Sequence, residues 1–238
     1  MSRDLSDVLL VLLGVTVLRV VHAGAHTWYV KPSFAPFLVA AAVLVITVAA
    51  LDLLQGVVRG RPETAHDDGH GHDHSRAPGV AAFVALPVVA LLTIAPAPLG
   101  LWSAEREGRQ AELVSDVGTL PVGDDGTADT DLLDVVERMW SAPETIEDVP
   151  VRLVAFASGG ASTERGLTRL TIACCAADGR PVSVDVDGPE VASLPVDGEW
   201  VEVVGTWDGG TTAEGDPDLV LVLDEVRPVD QPDEPYLS

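Results

Sequence analysis

Long uncharged runs fill the first part of the chain and short alternating runs fill the last. From Phe34 to Leu51 there are 18 residues without a charge, and from Gly79 to Leu101 there are 23. A bilayer core needs about 20 apolar residues of helix, so both runs predict membrane spans, at about 34–54 and 79–101. The first apolar stretch is weaker, since only the 11 residues Val8 to Leu18 are uncharged before Arg19. It reads as a third span over about 5–29, with Trp28 and Tyr29 as interfacial anchors and Lys31 beyond them. A cleaved signal peptide is the other reading, with Arg3 ahead of a short apolar region and Ala23-Gly24-Ala25 as the cleavage pattern.

Residues 103–128 have no clear periodicity and carry the Gly-Asp-Asp-Gly run of 123–126, which reads as linker. Thr130 can cap a helix in which Leu132, Leu133, Val136 and Met139 or Trp140 recur at helical spacing, ending near Pro143. Five runs rich in β-branched residues follow, at 151–157, 167–174, 182–186, 200–207 and 219–226. Along the fourth, Val201, Val203 and Gly205 alternate with Glu202, Val204 and Thr206. The predicted fold is therefore a membrane α-helical part with three transmembrane helices, joined to a small mainly-β C-terminal domain. Five short strands suit a closed barrel of OB type, with an open sheet or sandwich as the alternative. The boundaries are 1–102 for the membrane part, 103–143 for linker and amphipathic helix, and 144–238 for the β domain.

Charge sharpens this division. Of the formal net charge of −23, residues from Ser103 onward hold 30 acids against 8 arginines, while residues 1–102 hold 7 acids against 5 arginines and one lysine. So acidic a domain repels phosphate backbones, which argues against a nucleic-acid partner and leaves the lipid bilayer as the first environment to consider. Arg3, Arg59, Arg61 and Arg76 against a lone Lys31 place the amino terminus and the 62–78 loop in the cytoplasm and the acidic domain outside, in a multi-pass protein of the cell membrane.

Three groups of residues carry candidate chemistry. In the 62–78 loop, His66, His70, His72 and His74 alternate with Asp67, Asp68 and Asp73, donors that suit Zn²⁺ or a similar divalent ion. Gly69 and Gly71 add backbone freedom that binding must overcome, so the ion is weakly held. On the first span Arg19, His22 and His26 lie three and four residues apart, on one helical face. Such a stripe either faces protein or water inside the membrane or snorkels to the interface. Cys174 and Cys175 end the second strand and point to opposite faces, with Asp178 in the following turn. One thiol then belongs to the core and the other is free as a metal or redox ligand. Adjacent cysteines seldom meet disulfide geometry.

With these features in place, the chain resembles the YcgQ-like family of bacterial permease subunits. The resemblance runs through His22-Ala23-Gly24, the tract from 66 to 74, Cys175-Ala176-Ala177-Asp178, the run from Trp200 to Thr206 and Pro232-Asp233-Glu234-Pro235-Tyr236. It implies a two-component system with a multispanning permease subunit as partner, and supplies no catalytic residue. No phosphate loop, nucleophile elbow or histidine base beside Cys175 appears in the soluble half, so the expectation is a non-enzyme. Two functions are expected: a non-catalytic membrane accessory subunit linked to metal ion transport or handling, or an independent metal-binding or sensing protein acting through the histidine loop.

Overall fold

The structure is a computed structural model that describes residues 3–59, 97–105, 117–159 and 165–237. The histidine tract, and with it His66, Asp67, Asp68, His70, His72, Asp73 and His74, lies outside the described residues. The chain divides into two compact units, residues 1–26 with 32–97 and residues 27–31 with 98–238.

The first unit holds two helices, α1 (Arg3–His22) and α2 (Ala35–Arg59). They pack closely because small residues meet at the contact. Ala42 and Ala49 are buried, and a Cβ on Gly14 would lie 2.5 Å from Ile46 Cγ1 and 3.0 Å from the Ala42 carbonyl oxygen. Small residues let two helix backbones approach in this way. Thr16 and Thr47 return their hydroxyls to the carbonyls four residues back, so neither demands a partner outside its helix.

The expectation of three transmembrane helices is corrected here. Among the described residues one helical stretch, Pro32–Val58, is long and apolar enough to cross a membrane, and the same length and composition suit a signal sequence. α1 stops at His22, short of the expected end at Tyr29, and the 11 uncharged residues from Val8 to Leu18 rise only about 16 Å against a hydrocarbon core of about 30 Å. Residues 79–96 of the expected third span lie outside the described residues, and the helical turn Leu101–Ala104 begins where that span was expected to end.

The second unit is a mixed seven-stranded sheet, which corrects the expected five-stranded domain by two short strands, each paired in parallel. Its strands are β1 (Ala128–Asp129), β2 (Val151–Ser158), β3 (Gly166–Thr171), β4 (Arg180–Asp187), β5 (Trp200–Thr206), β6 (Val220–Pro228) and β7 (Tyr236–Leu237). The order is β1-β2-β5-β6-β4-β3-β7, and β2 also pairs β3, so the five longer strands close into a ring. Three pairings are parallel, β1 with β2, β3 with β7 and β4 with β6. The two-residue strands β1 and β7 escape a sequence pattern because two residues carry no periodicity. Burial along β5 alternates, with Val201, Val203 and Gly205 inside. Gly205 sits where the β5–β6 register shifts, and a Cβ there would lie 3.0 Å from the Val222 carbonyl oxygen. That close approach is why the position is glycine.

Helix α3 (Leu132–Ser141) covers the ring's apolar interior with Leu132, Val135, Val136 and Met139. Its cap is Asp131, whose side chain accepts from the Asp134 N–H at 3.0 Å, rather than Thr130. The Thr130 hydroxyl instead donates to Asp134 Oδ2 at 2.6 Å. Across β2, β3 and β4 the hydroxyls of Ser158, Thr168 and Ser183 form a ladder at 2.7 and 2.8 Å, which satisfies polar groups that burial would otherwise penalise.

Candidate metal centre

The loop joining β3 to β4 brings both cysteines of the chain together with an aspartate. Strand β3 ends at Thr171, so Cys174 and Cys175 lie beyond it, in the loop rather than at the strand's end on opposite faces. Neither thiol is in the core: Cys174 is exposed and Cys175 half-buried. Freed from strand alternation, the two sulfurs turn to the same side and stand 3.6 Å apart.

Asp178 organises the loop. Its carboxylate accepts from the N–H groups of Ala173 at 2.8 Å, Cys174 at 2.9 Å and Cys175 at 3.3 Å, and from the Cys174 thiol at 2.9 Å. Cys175 caps the 3-10 turn Ala176–Asp178 and its sulfur accepts from the Asp178 N–H, making a reciprocal capping pair. The hydrogen bond to Asp178, then that with Cys175, pushes the Cys174 thiol up from 9.0 to about 12. Burial raises the Asp178 carboxyl, but the Cys174 thiol and the three backbone donors outweigh it and hold the group below its ordinary value of 3.8. The Cys174 thiol is therefore a hydrogen-bond donor and a poor nucleophile at neutral pH.

Among the described residues this is the one set of three His, Cys, Asp or Glu side chains whose ligand atoms all lie within 4.8 Å of one another. Two sulfurs on a tetrahedral Zn²⁺ at about 2.3 Å each stand about 3.8 Å apart, close to the 3.6 Å found between Cys174 and Cys175. A sulfur and a carboxylate oxygen on the same ion stand about 3.6 Å apart, so the 2.9 Å between Cys174 Sγ and Asp178 Oδ2 must open as the thiol proton leaves. Three protein donors would leave a fourth tetrahedral position open to water or an incoming group.

The loop is gripped by a second piece of chain, the stretch expected at the membrane interface. Residues Thr27 to Lys31 form a strap along it, with an antiparallel bridge between Val30 and Cys175. The Lys31 N–H donates to the Cys174 carbonyl at 3.1 Å, and the Ala176 N–H to the Tyr29 carbonyl at 2.8 Å. The Thr27 hydroxyl donates to the Asp233 carbonyl at 2.7 Å, and the Tyr236 hydroxyl donates to the Trp28 carbonyl at 3.1 Å while accepting from the Leu99 N–H at 2.6 Å. Trp28 and Tyr29 thus contribute backbone carbonyls to this unit. Their aromatic rings had suggested membrane anchors, and a carbonyl contact leaves no trace in residue type.

The other expected groups fare differently. Arg19 and His22 are exposed on the last turn of α1 and line a groove of about 490 Å³ with Val15, Leu18, Val21 and Val39. His26 leaves their face, because the helix ends at His22 and His26 falls in the 3-10 turn Ala25–Trp28 with its Nδ1 buried. A polar groove of about 680 Å³ includes Asp129, Asp134, Arg152, Arg169 and Glu202. Its cations are already engaged: Arg152 pairs with Asp129 at 2.9 Å and Asp125 at 3.4 Å, and Arg169 donates to the carbonyls of Val154, Glu234 and Pro235.

Residues 5–109 match the DUF1980 N-terminal domain and residues 127–237 match the DUF1980 C-terminal domain. No curated protein and no solved structure matches the chain. The resemblance to YcgQ-like permease subunits is corrected by this match, since the individual motifs behind it were short and only their order gave it weight. With both domains matched in sequence order along nearly its whole length, the chain belongs to the DUF1980 family.

Proposed function

We propose that the protein is a non-catalytic, membrane-anchored accessory protein that takes up a thiophilic divalent ion such as Zn²⁺ at Cys174, Cys175 and Asp178 and passes it to a multispanning membrane partner. The observation that carries this reading is the sulfur separation of 3.6 Å beside a carboxylate on an exposed loop. Thiolates select soft and borderline ions, the carboxylate favours a divalent charge, and the open fourth position suits release to another ligand.

The anchor is the stretch Pro32–Val58. The strap and the β domain are one hydrogen-bonded unit and so lie on the same side of the membrane, the side on which that stretch begins. Arg59, Arg61 and Arg76 beyond the stretch, against Lys31 before it, support an extracytoplasmic β domain.

Titration of the full chain in detergent micelles with Co²⁺ tests the metal site. One equivalent is expected to produce a thiolate-to-cobalt charge-transfer band, lost in the Cys174→Ser, Cys175→Ser double variant and kept when all four tract histidines are replaced. Binding without that band, retained in the cysteine variant and lost in the histidine variant, would transfer the function to the histidine tract.

A further inference from the structure

We infer that a divalent ion at Cys174, Cys175 and Asp178 tightens the strap from Thr27 to Lys31 onto the loop, so that the segment leading into the apolar helix reports whether the site is filled. The inference rests on the metal-binding reading and adds its regulation.

The two cysteines that supply sulfur ligands also supply the backbone that holds the strap. The Cys174 carbonyl accepts from Lys31 N–H, Cys175 bridges Val30, and the next residue, Ala176, donates to Tyr29. No intervening side chain is needed for a change in this backbone to reach the strap. Lys31 is followed directly by Pro32, the first residue of the stretch able to cross a membrane.

The loop is held by contacts that a bound ion would replace. The Cys174 thiol hydrogen sits on Asp178 Oδ2 at 2.9 Å. Entry of the ion removes that proton and forms metal–sulfur and metal–oxygen bonds, which widens the sulfur–oxygen separation by about 0.7 Å to the tetrahedral value. Asp178 cannot absorb this shift alone, because the N–H groups of Ala173, Cys174 and Cys175 all bind its carboxylate. The movement is therefore shared with the backbone of Cys174 and Cys175. A metal cross-link across residues 174–178 also removes conformational freedom from the loop, and a strand pairing with an already ordered edge loses less entropy on docking.

At its other end the strap is pinned by the Thr27 hydroxyl on Asp233 and the Tyr236 hydroxyl on Trp28. Occupancy thus acts on the Lys31 end. By linkage the effect is reciprocal: whatever factor zinc adds to strap docking, strap docking adds to zinc affinity.

The test uses the full chain in detergent micelles with Zn²⁺ as probe. Amide exchange at Lys31 and Ala176 is expected to slow by about five-fold or more when one equivalent of Zn²⁺ is added. Lys31→Pro deletes the N–H that binds Cys174 and is compatible with the extended backbone of Val30; it is expected to weaken zinc by a similar factor, whereas Lys31→Ala keeps the N–H and binds as wild type. Zinc bound through the cysteines with unchanged exchange at Lys31 and Ala176, or with full affinity in Lys31→Pro, overturns the coupling and leaves the metal site standing. No cysteine-dependent zinc binding at all overturns the metal reading itself. Should Lys31→Pro fail to fold, the exchange measurement on the wild type decides.

Discussion

Asp178 is the residue on which the loop's chemistry turns. In Asp178→Asn the carboxylate hydrogen bond that pushes Cys174 up to about 12 is lost, so the midpoint of its alkylation by iodoacetamide should fall toward the ordinary 9.0, read as rate against pH. The two shifts also make the loop's contribution to stability depend on pH. The raised thiol contributes fully below 9.0, and that contribution is lost as pH rises toward about 12. The lowered carboxylate contributes above its ordinary 3.8, and that contribution is lost as pH falls through its folded value. Thermal unfolding of wild type should thus show an acid limb that Asp178→Asn flattens. Zinc affinity should rise with pH, because binding releases the Cys174 proton. The association of Cys174, Cys175 and Asp178 was legible from their spacing. That both sulfurs lie on one side was not, since a strand carried three residues past Thr171 sends alternate side chains to opposite faces.

Among the elements, strand limits follow local sequence more closely than helix ends do. All five longer strands lie within three residues of their sequence-read limits, because β-branched runs bounded by Gly, Pro or Asp leave few alternatives. The cap of α3 was placed one residue early, since Thr130 and Asp131 are both competent and the choice depends on which oxygen the Asp134 N–H meets. Asp131→Ala should cost about 1 kcal/mol in chemical denaturation, and Thr130→Ala less, because its hydroxyl reaches only the Asp134 side chain. In the first unit, Gly14→Val places branched carbon against Ile46 and the Ala42 carbonyl. The expected outcome is loss of the α1–α2 contact, measured by cross-linking a cysteine pair placed on the two helices.

At the scale of the whole molecule, closure of the sheet and the course of the strap are what bring the cysteine loop into being. Arg169, only 7 % exposed, ties the closing segment to β2 through the carbonyls of Val154, Glu234 and Pro235, with its guanidinium carbon 5.1 Å from the centre of the Trp200 ring. Burial lowers its basicity, yet a guanidinium keeps its charge. Arg169→Met leaves those three carbonyls without their donor and should cost roughly 2 kcal/mol or more in chemical denaturation, with Arg169→Lys a poor substitute for a forked donor. Chelation offers a global reading: at 100 times its dissociation constant Zn²⁺ should add about 2.7 kcal/mol of stability that EDTA removes, and the cysteine double variant should show no such change. The sequence by itself determined the acidic character of the β domain, its five long strands, its amphipathic helix, an apolar stretch able to cross a membrane and the nearness of two thiols to one carboxylate, because all of these follow from local order and residue type. Only the tertiary structure decided that the sheet has seven strands and closes through β2 and β3, that His26 leaves the face of Arg19 and His22, and that Thr27 to Lys31 grip the cysteine loop. Those facts depend on backbone hydrogen bonds between residues more than 140 positions apart in the case of the strap, and backbone groups are the same in every residue, so no side-chain pattern announces them.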